Sequence, residues 1–253
     1  MSFPILFWLC PTKPLKLLIS SHCNSSFGDW MHEVHPQNGF ILFNTAQELW
    51  FGAFKSMREG QIDLVGSCPF SSTPGSGKSS AALAALKQSY LSNRGSGSDS
   101  SSSIISTLSL SPDSQVKELA ADALSIQWAS SLLQDVYDFI ASYHRSHGAT
   151  CPVTIPQFRF VNSGLAMTNV PGAAPKQKDV YLVEELIQSD DGPWRKYMNN
   201  NSSQPCYFSD KDNRRRSDFL AFCQHVQYWR TGCLAFTSDF QGEPHPGPYY
   251  SIT

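Results

Sequence analysis

Near the end of a 253-residue chain stands Thr237-Ser-Asp-Phe-Gln-Gly242, and the meaning of the chain turns on it and on Val180-Tyr-Leu-Val-Glu-Glu-Leu-Ile187 upstream. The upstream stretch reads as a buried strand running into a carboxylate pair. The later one reads as a strand ending in an acid, an amide and a glycine. Asp239 and Gln241 are two residues apart, so on a continuing strand they face the same side. Gly242 then lets the chain turn. Two hard oxygen donors beside a turn suit Mg²⁺ carried by phosphates. A strand leading into a polar turn uses the same residue types, so the meaning of the tetrapeptide depends on what surrounds it.

The formal net charge of −2 argues against electrostatic binding of nucleic acid or an anionic membrane surface. Seven cysteines are scattered without a Cys-x-x-Cys pair. An odd, unpatterned set fits reduced thiols in a cytoplasmic or nuclear protein better than a disulfide framework. No apolar run reaches the length of a membrane span. Phe3 to Cys10 is apolar but lacks a basic region before it, so it reads as a disordered or packed terminus rather than a signal peptide.

Working outward, residues 1–38 read as a poorly defined N-terminal extension, with a strand over Lys13 to Ile19. Residues 39–65 are β-rich. Gly39 to Phe43 is a short apolar strand. Glu48 to Met57 and Gln61 to Val65 flank Arg58-Glu-Gly60, a hairpin signal. Gly52 marks a bend or a close backbone approach. A phosphate held near its backbone could meet the ammonium of Lys55. Cys68 to Ser80 is a loop whose Gly77-Lys78-Ser79 invites a P-loop reading, but Ser72 stands where the motif needs its first glycine. Ala81 to Tyr90 is helical by propensity, while its neighbours also permit a strand ending near Lys87. Residues 92–111 form a Ser/Gly-rich flexible insertion.

The clearest helix follows. Val116, Leu119, Ala123, Ile126, Leu133, Tyr137 and Ile140 recur at three- and four-residue steps. Asp113 or Ser114 is the expected N-cap and Gly148 the stop. Glu118 suits the first turn, or pairs with a lysine. Thr154 to Val161 is a strand confined to an edge by Pro156. Lys211 to Asp218 reads as a solvated loop or helix start, and Phe219 to Tyr228 as a helix with His225 in its core. Thr231-Gly232 turns, and Cys233 to Phe236 returns as a strand to Asp239.

These pieces, in this order, resemble the alpha-kinase family of atypical serine/threonine protein kinases. Gly52-Ala-Phe-Lys55 resembles the family's phosphate-contacting strand, and Ala84-Ala-Leu-Lys87 its Ala-Val-Lys strand. Tyr181-Leu-Val-Glu-Glu185, with Trp194-Arg-Lys-Tyr197 and Asn199 to Asn201, resembles the hinge and the Lys-Tyr-x-x-Asn segment after it. Ala221-Phe-Cys-Gln-His225, Tyr228, Thr231-Gly232 and Asp239-Phe-Gln-Gly242 resemble the Ala-Phe-x-His…Asp-Leu-Gln-Gly run. The resemblance implies an α+β, two-lobed fold over residues 39–253. Residues 39–180 would be the N-lobe and 181–253 the hinge and part of the C-lobe. It makes Ala81 to Lys87 a strand. It implies that Lys87 holds ATP phosphates with help from Lys55 and Gly52, and that Glu184 lies near adenine. Gln241 and Asp239 would bind Mg²⁺, with Asp239 and Lys87 catalytic. The reaction would move phosphate from ATP to Ser/Thr hydroxyls of a protein substrate. The family's Leu-Thr-Asp-Pro segment and its His/Cys zinc module have no counterpart after Gly242. An incomplete C-lobe without structural zinc is therefore expected. The alternatives are a catalytically dead kinase-like module that binds nucleotide or a partner, and a P-loop NTPase built on Gly75 to Ser79.

Overall fold

The computed structural model describes residues 2–9, 35–44, 50–51, 55–65, 69–70, 81–92, 107–148, 153–168, 178–187, 194–244 and 250–252. In chain order the elements are β1 (Ser2–Leu9), β2 (Gln37–Leu42), β3 (Trp50–Phe51), β4 (Lys55–Leu64), β5 (Ala82–Ser92), β6 (Thr107–Ser109), α1 (Pro112–His147), β7 (Phe158–Phe160), β8 (Ser163–Thr168), β9 (Val180–Glu185), β10 (Arg195–Lys196), α2 (Lys211–Arg230), β11 (Gln241–Pro244) and β12 (Tyr250–Ile252). The fold class is thus mixed α and β. Two compact units form. The first takes its described residues from Met1–Cys10, Ser25–Leu124 and Asn162–Leu186, the second from Ser125–Val161 and Ile187–Thr253. The chain changes unit inside α1 and after Val161 and Leu186, and all of β9 pairs within the first unit.

In the first unit eight strands pair in the order β3-β4-β2-β1-β8-β9-β5-β6, and β4 also pairs with β5. Six of them therefore form a closed, antiparallel circuit: β4, β2, β1, β8, β9, β5 and back to β4. Closure removes the open edges that would otherwise carry unpaired backbone groups. Side chains alternate across it. Ile5, Phe7, Tyr181 and Val183 enter one buried cluster with Ile41, Ile62 and Leu86. Trp8, Val180 and Leu182 enter another with Leu119, Ala120 and Ala123 of α1.

Several expectations are corrected here. Phe3 to Leu9 is neither a loose terminus nor part of a poorly defined extension. As β1 it is hydrogen-bonded on both sides, to β2 and β8. Arg58-Glu-Gly60 is not a turn, because β4 runs straight through it. Gly60 is needed for space instead: a Cβ there would lie 2.6 Å from Leu86 Cδ1. The insertion ends earlier than residue 111, since Thr107 to Ser109 pairs with Tyr90 to Ser92. Strand β8 has no counterpart in the sequence reading. Lys13 to Ile19, Gly52 and Gly75 to Ser79 lie outside the described residues.

Helix α1 starts one turn early relative to expectation. Ser111 Oγ accepts from Ser114 N at 3.3 Å, which makes Ser111 the N-cap and Pro112 the first helical residue, where its missing N–H costs nothing. Gly148 stops it at φ +60, its N–H donating to His144 O at 3.0 Å. No helix among the described residues is long and apolar enough to cross a membrane.

The second unit holds the four-stranded sheet β10-β11-β12-β7, with β7 at an edge as expected and paired in parallel. Its core joins Leu133 and Val136 of α1 to Leu220 and Cys223 of α2, and to Tyr197, Phe240 and Ile252. Lys211 to Asp218 is helix, not loop. Asp210 caps it by accepting from Asn213 N at 2.8 Å. His225 is exposed rather than a core residue. Cys233 to Phe236 is not a strand. Side chains of α2 and its cap bind the returning chain instead: Thr231 Oγ1 donates to Ala235 O at 2.9 Å, and Gln227 Oε1 accepts from Thr237 N at 2.8 Å. The described cysteines Cys206, Cys223 and Cys233 are free, and burial pushes the Cys223 thiol up from its ordinary value.

Two measurements check this account. A Cβ at Gly164 of β8 would collide with Trp8 O and the Phe7 ring. Gly164→Ala should therefore destabilise by about 1–3 kcal/mol in denaturant unfolding. An unchanged midpoint would mean that β1 and β8 are not paired in this register. Hydrogen bonds from Asn213 hold the Asp210 carboxyl below its ordinary value. The cap then stabilises fully above about pH 4, the unfolded value, and is lost as pH falls through the lower folded value. The thermal midpoint of Asp210→Ala should lie below wild type at pH 7, and the gap should close on acidification.

Candidate functional site

Strand pairing positions the lysines. Ala82, Ala84 and Leu86 of β5 point into the first cluster, so Ala85 and Lys87 point to the opposite face. Across β5 and β9, Ala85 lies opposite Glu184 and Lys87 opposite Leu182. Lys87 and Glu184 are therefore diagonal neighbours on the face that carries α1. Lys87 Nζ donates to Glu184 Oε2 at 2.6 Å. The Glu184 side chain is only 6% exposed and that of Lys87 30%. A carboxylate so buried needs a cation beside it, and the ammonium, which has three donors, keeps one side toward water.

Met57 lies opposite Lys87 across β4 and β5. Lys55, two residues earlier on β4, shares that face and is ion-paired with Asp122 of α1. The sequence pointed to Glu118 as a partner for a lysine. Glu118 is exposed, and Asp122, one helical turn later, takes the role. Glu118 keeps the other reading, a solvated carboxylate near the helix start.

In the second unit, Lys196 of β10 lies opposite Gln241 of β11. Asp239 does not continue that strand. Its φ of +62 is left-handed, so the expected same-side relation with Gln241 is not set by strand alternation. The carboxylate nevertheless meets the ammonium of Lys196, Oδ1 to Nζ 2.7 Å. Trp194 Nε1 donates to Gln241 Oε1 at 3.4 Å. Gly242 lies inside β11 rather than at a turn, and a Cβ there would strike Ser251 O. Lys196 and Trp194 had been read only as parts of a motif. Their place beside Asp239 and Gln241 depends on a two-residue strand pairing too short to leave a periodic signal.

Two sets of polar groups result. Lys87, Glu184, Lys55 and Asp122 present two cations on one face, each anchored by a carboxylate. Asp239, Gln241, Lys196 and Trp194 present hard oxygen donors beside a cation. No group of three His, Cys, Asp or Glu residues able to hold a metal occurs among the described residues.

No protein-family model and no curated protein matches the chain. Among solved structures it is similar to the alpha-kinase domain of myosin-II heavy chain kinase A. Against the apoenzyme the identity is 11%, covering 99% of this chain and 81% of that one, with a TM-score of 0.49. Against the complex with AMP-PNP the identity is 10%, with coverage of 99% and 80% and a TM-score of 0.49. Against the complex with AMPPCP these values are 11%, 99%, 80% and 0.47.

Glu184→Ala should destabilise by about 1–2 kcal/mol. Loss of one partner from a fully buried pair costs more, roughly 3–5 kcal/mol, but Lys87 keeps part of its hydration. In a double-mutant cycle with Lys87→Met the two losses should fall short of adding. Strict additivity in urea unfolding would mean that the two side chains do not interact.

Proposed function

We propose that this chain is an alpha-kinase-type phosphotransferase domain that transfers the γ-phosphoryl group of ATP to a Ser or Thr hydroxyl of a protein substrate. The observation that carries the reading is the Lys87–Glu184 pair. A strand lysine is fixed by a nearly buried carboxylate on a neighbouring strand, with a second anchored lysine, Lys55, on the same face. Phosphoryl transfer asks mainly for positioned positive charge around the phosphates.

In this reading Lys87 and Lys55 hold the nucleotide phosphates, and Gly52, which lies outside the described residues, is the expected third contact. Glu184 acts on the nucleotide through Lys87, which it orients, besides its implied place near adenine. Asp239 and Gln241 fit Mg²⁺ by donor chemistry. Both offer oxygen, the hydrogen bond to Gln241 Oε1 is long, and the Asp239 side chain is 39% exposed. A cation that arrives on phosphates needs only one or two protein ligands. Mg²⁺ would neutralise phosphate charge there, and Asp239 would serve catalysis.

The P-loop reading is not favoured. A P-loop opens a helix, whereas the first element described after Lys78 is a strand, β5, from Ala82 to Ser92.

The test is calorimetric binding of ATP with Mg²⁺, combined with phosphotransfer to a generic basic protein. Lys87→Met should abolish both. Asp239→Asn should retain nucleotide and lose about 10²-fold or more in turnover. Binding without turnover in the wild type would make the chain a non-catalytic nucleotide-binding module. ATP binding that survives Lys87→Met but not Lys78→Ala would overturn the assignment.

A further inference from the structure

The second unit contains a cleft that no part of the proposed reaction uses. Its volume is about 850 Å³, within the range typical of small-molecule sites. It is bounded by Phe139, Ile140 and Tyr143 of α1, by the Val153–Pro156 segment, and by the first three turns of α2. The walls are mostly hydrocarbon and aromatic ring. Tyr143, Val153 and Phe222 reach it as exposed apolar side chains, an arrangement that costs free energy in water unless something covers it.

Charge is distributed unevenly along the cleft. In α2 the sequence runs Lys211, Arg214, Arg215, then Asp218, then Phe219 and Phe222, all of them lining residues. Three cations face one carboxylate, and the cations precede the rings along the helix. Arg214 is already engaged, donating to Phe208 O at 3.1 Å and stacking on Tyr207. Lys211 and Arg215 are exposed and have no hydrogen-bond or ion-pair partner among the described residues. The start of α2 thus offers free positive charge with Asp218 one turn away, and the remaining wall, apart from His144 and Thr154, is apolar.

We propose that this cleft binds a single-chain anionic amphiphile, a free fatty acid. Its carboxylate would lie against Arg215 and Lys211, and its alkyl chain between Ile140, Val153 and Phe222. Arginine matches a carboxylate with two parallel donors, and an unbranched chain suits a wall built from three separate segments. The inference stands independently of the phosphotransferase reading.

Calorimetry with octanoate, decanoate and dodecanoate below their micellar concentrations tests it on the full chain. Saturable 1:1 binding is expected, tightening about three- to fourfold per methylene until the cleft is filled. Arg215→Glu and Lys211→Glu should each weaken decanoate at least about tenfold. Val153→Trp, a substitution at an exposed wall position, should block the chain, and unchanged thermal midpoints would show that these variants fold. Decanol should bind more weakly than decanoate. Absence of saturable binding overturns the proposal. So does equal affinity for decyltrimethylammonium, or decanoate binding that survives both Arg215→Glu and Val153→Trp. Sedimentation with anionic vesicles without uptake of free decanoate would identify a membrane contact instead, and would also overturn it.

Discussion

Strand β5 is the constraint on which the first unit depends, because its backbone is hydrogen-bonded along both edges. Ala82 to Ser89 pairs with β4 on one side, and Ala84 to Lys87 pairs with β9 on the other. An alanine-rich segment prefers helix by only tenths of a kcal/mol per residue. Two complete ladders, with Ala84 and Leu86 buried in the first cluster, outweigh that preference. Gly60, opposite Ala84 across the pairing with β4, leaves room for the Leu86 side chain. A helix here would open the six-strand circuit at its joint with β4 and leave β9 with one free edge.

Closure also fixes where charge can go. With one face of β5 committed to the core, Lys87 has only the other face available. Register places Glu184 diagonally from it and Met57 directly opposite. Lys55 follows from β4 by alternation. The first turns of α1 supply both the apolar cover, through Leu119, Ala120 and Ala123, and the carboxylate Asp122. One set of strand pairings thus decides core, lysines and counter-charges together.

What could be read from the sequence follows the physics of range. The face of α1 and the apolar run of β9 are local signals, and both elements were found, α1 starting somewhat before its expected cap and β9 ending two residues before Ile187. Asp239 and Gln241 stood out as paired oxygen donors from the residues themselves, Lys87 and Glu184 through the family resemblance, which also settled as strand a segment that propensity and context had left open. Strand β1 was read as a packed or loose end because nothing near it in sequence reveals its partners, β2 and β8. Strand β8 was missed because Ser163-Gly-Leu-Ala-Met-Thr168 contains no aromatic or β-branched aliphatic residue, and its Gly164 answers to a close approach by Phe7 and Trp8 that the sequence does not reveal. Gly60 and Gly242 were read as turn residues, yet both are needed for space inside strands. The same glycine serves either purpose, and only the neighbours tell which. The left-handed Asp239 and the pairing of Lys196 with Gln241 rest on contacts that leave no periodic trace.

The two polar sets differ in how firmly they are held, and that difference bears on the chemistry proposed for them. Glu184 is nearly removed from water, so separating it from Lys87 would strand a buried charge, a costly event. Lys87 is accordingly fixed before any ligand arrives. Lys196 and Asp239 are each exposed over about two fifths of the side chain. An ion pair in such surroundings is worth about 0–1 kcal/mol. Asp239 can therefore exchange its ammonium partner for an arriving cation at little cost, whereas Lys87 cannot exchange Glu184. Within the first unit the cation is thus held rigidly by its buried partner, and within the second the carboxylate is held loosely enough to change partners.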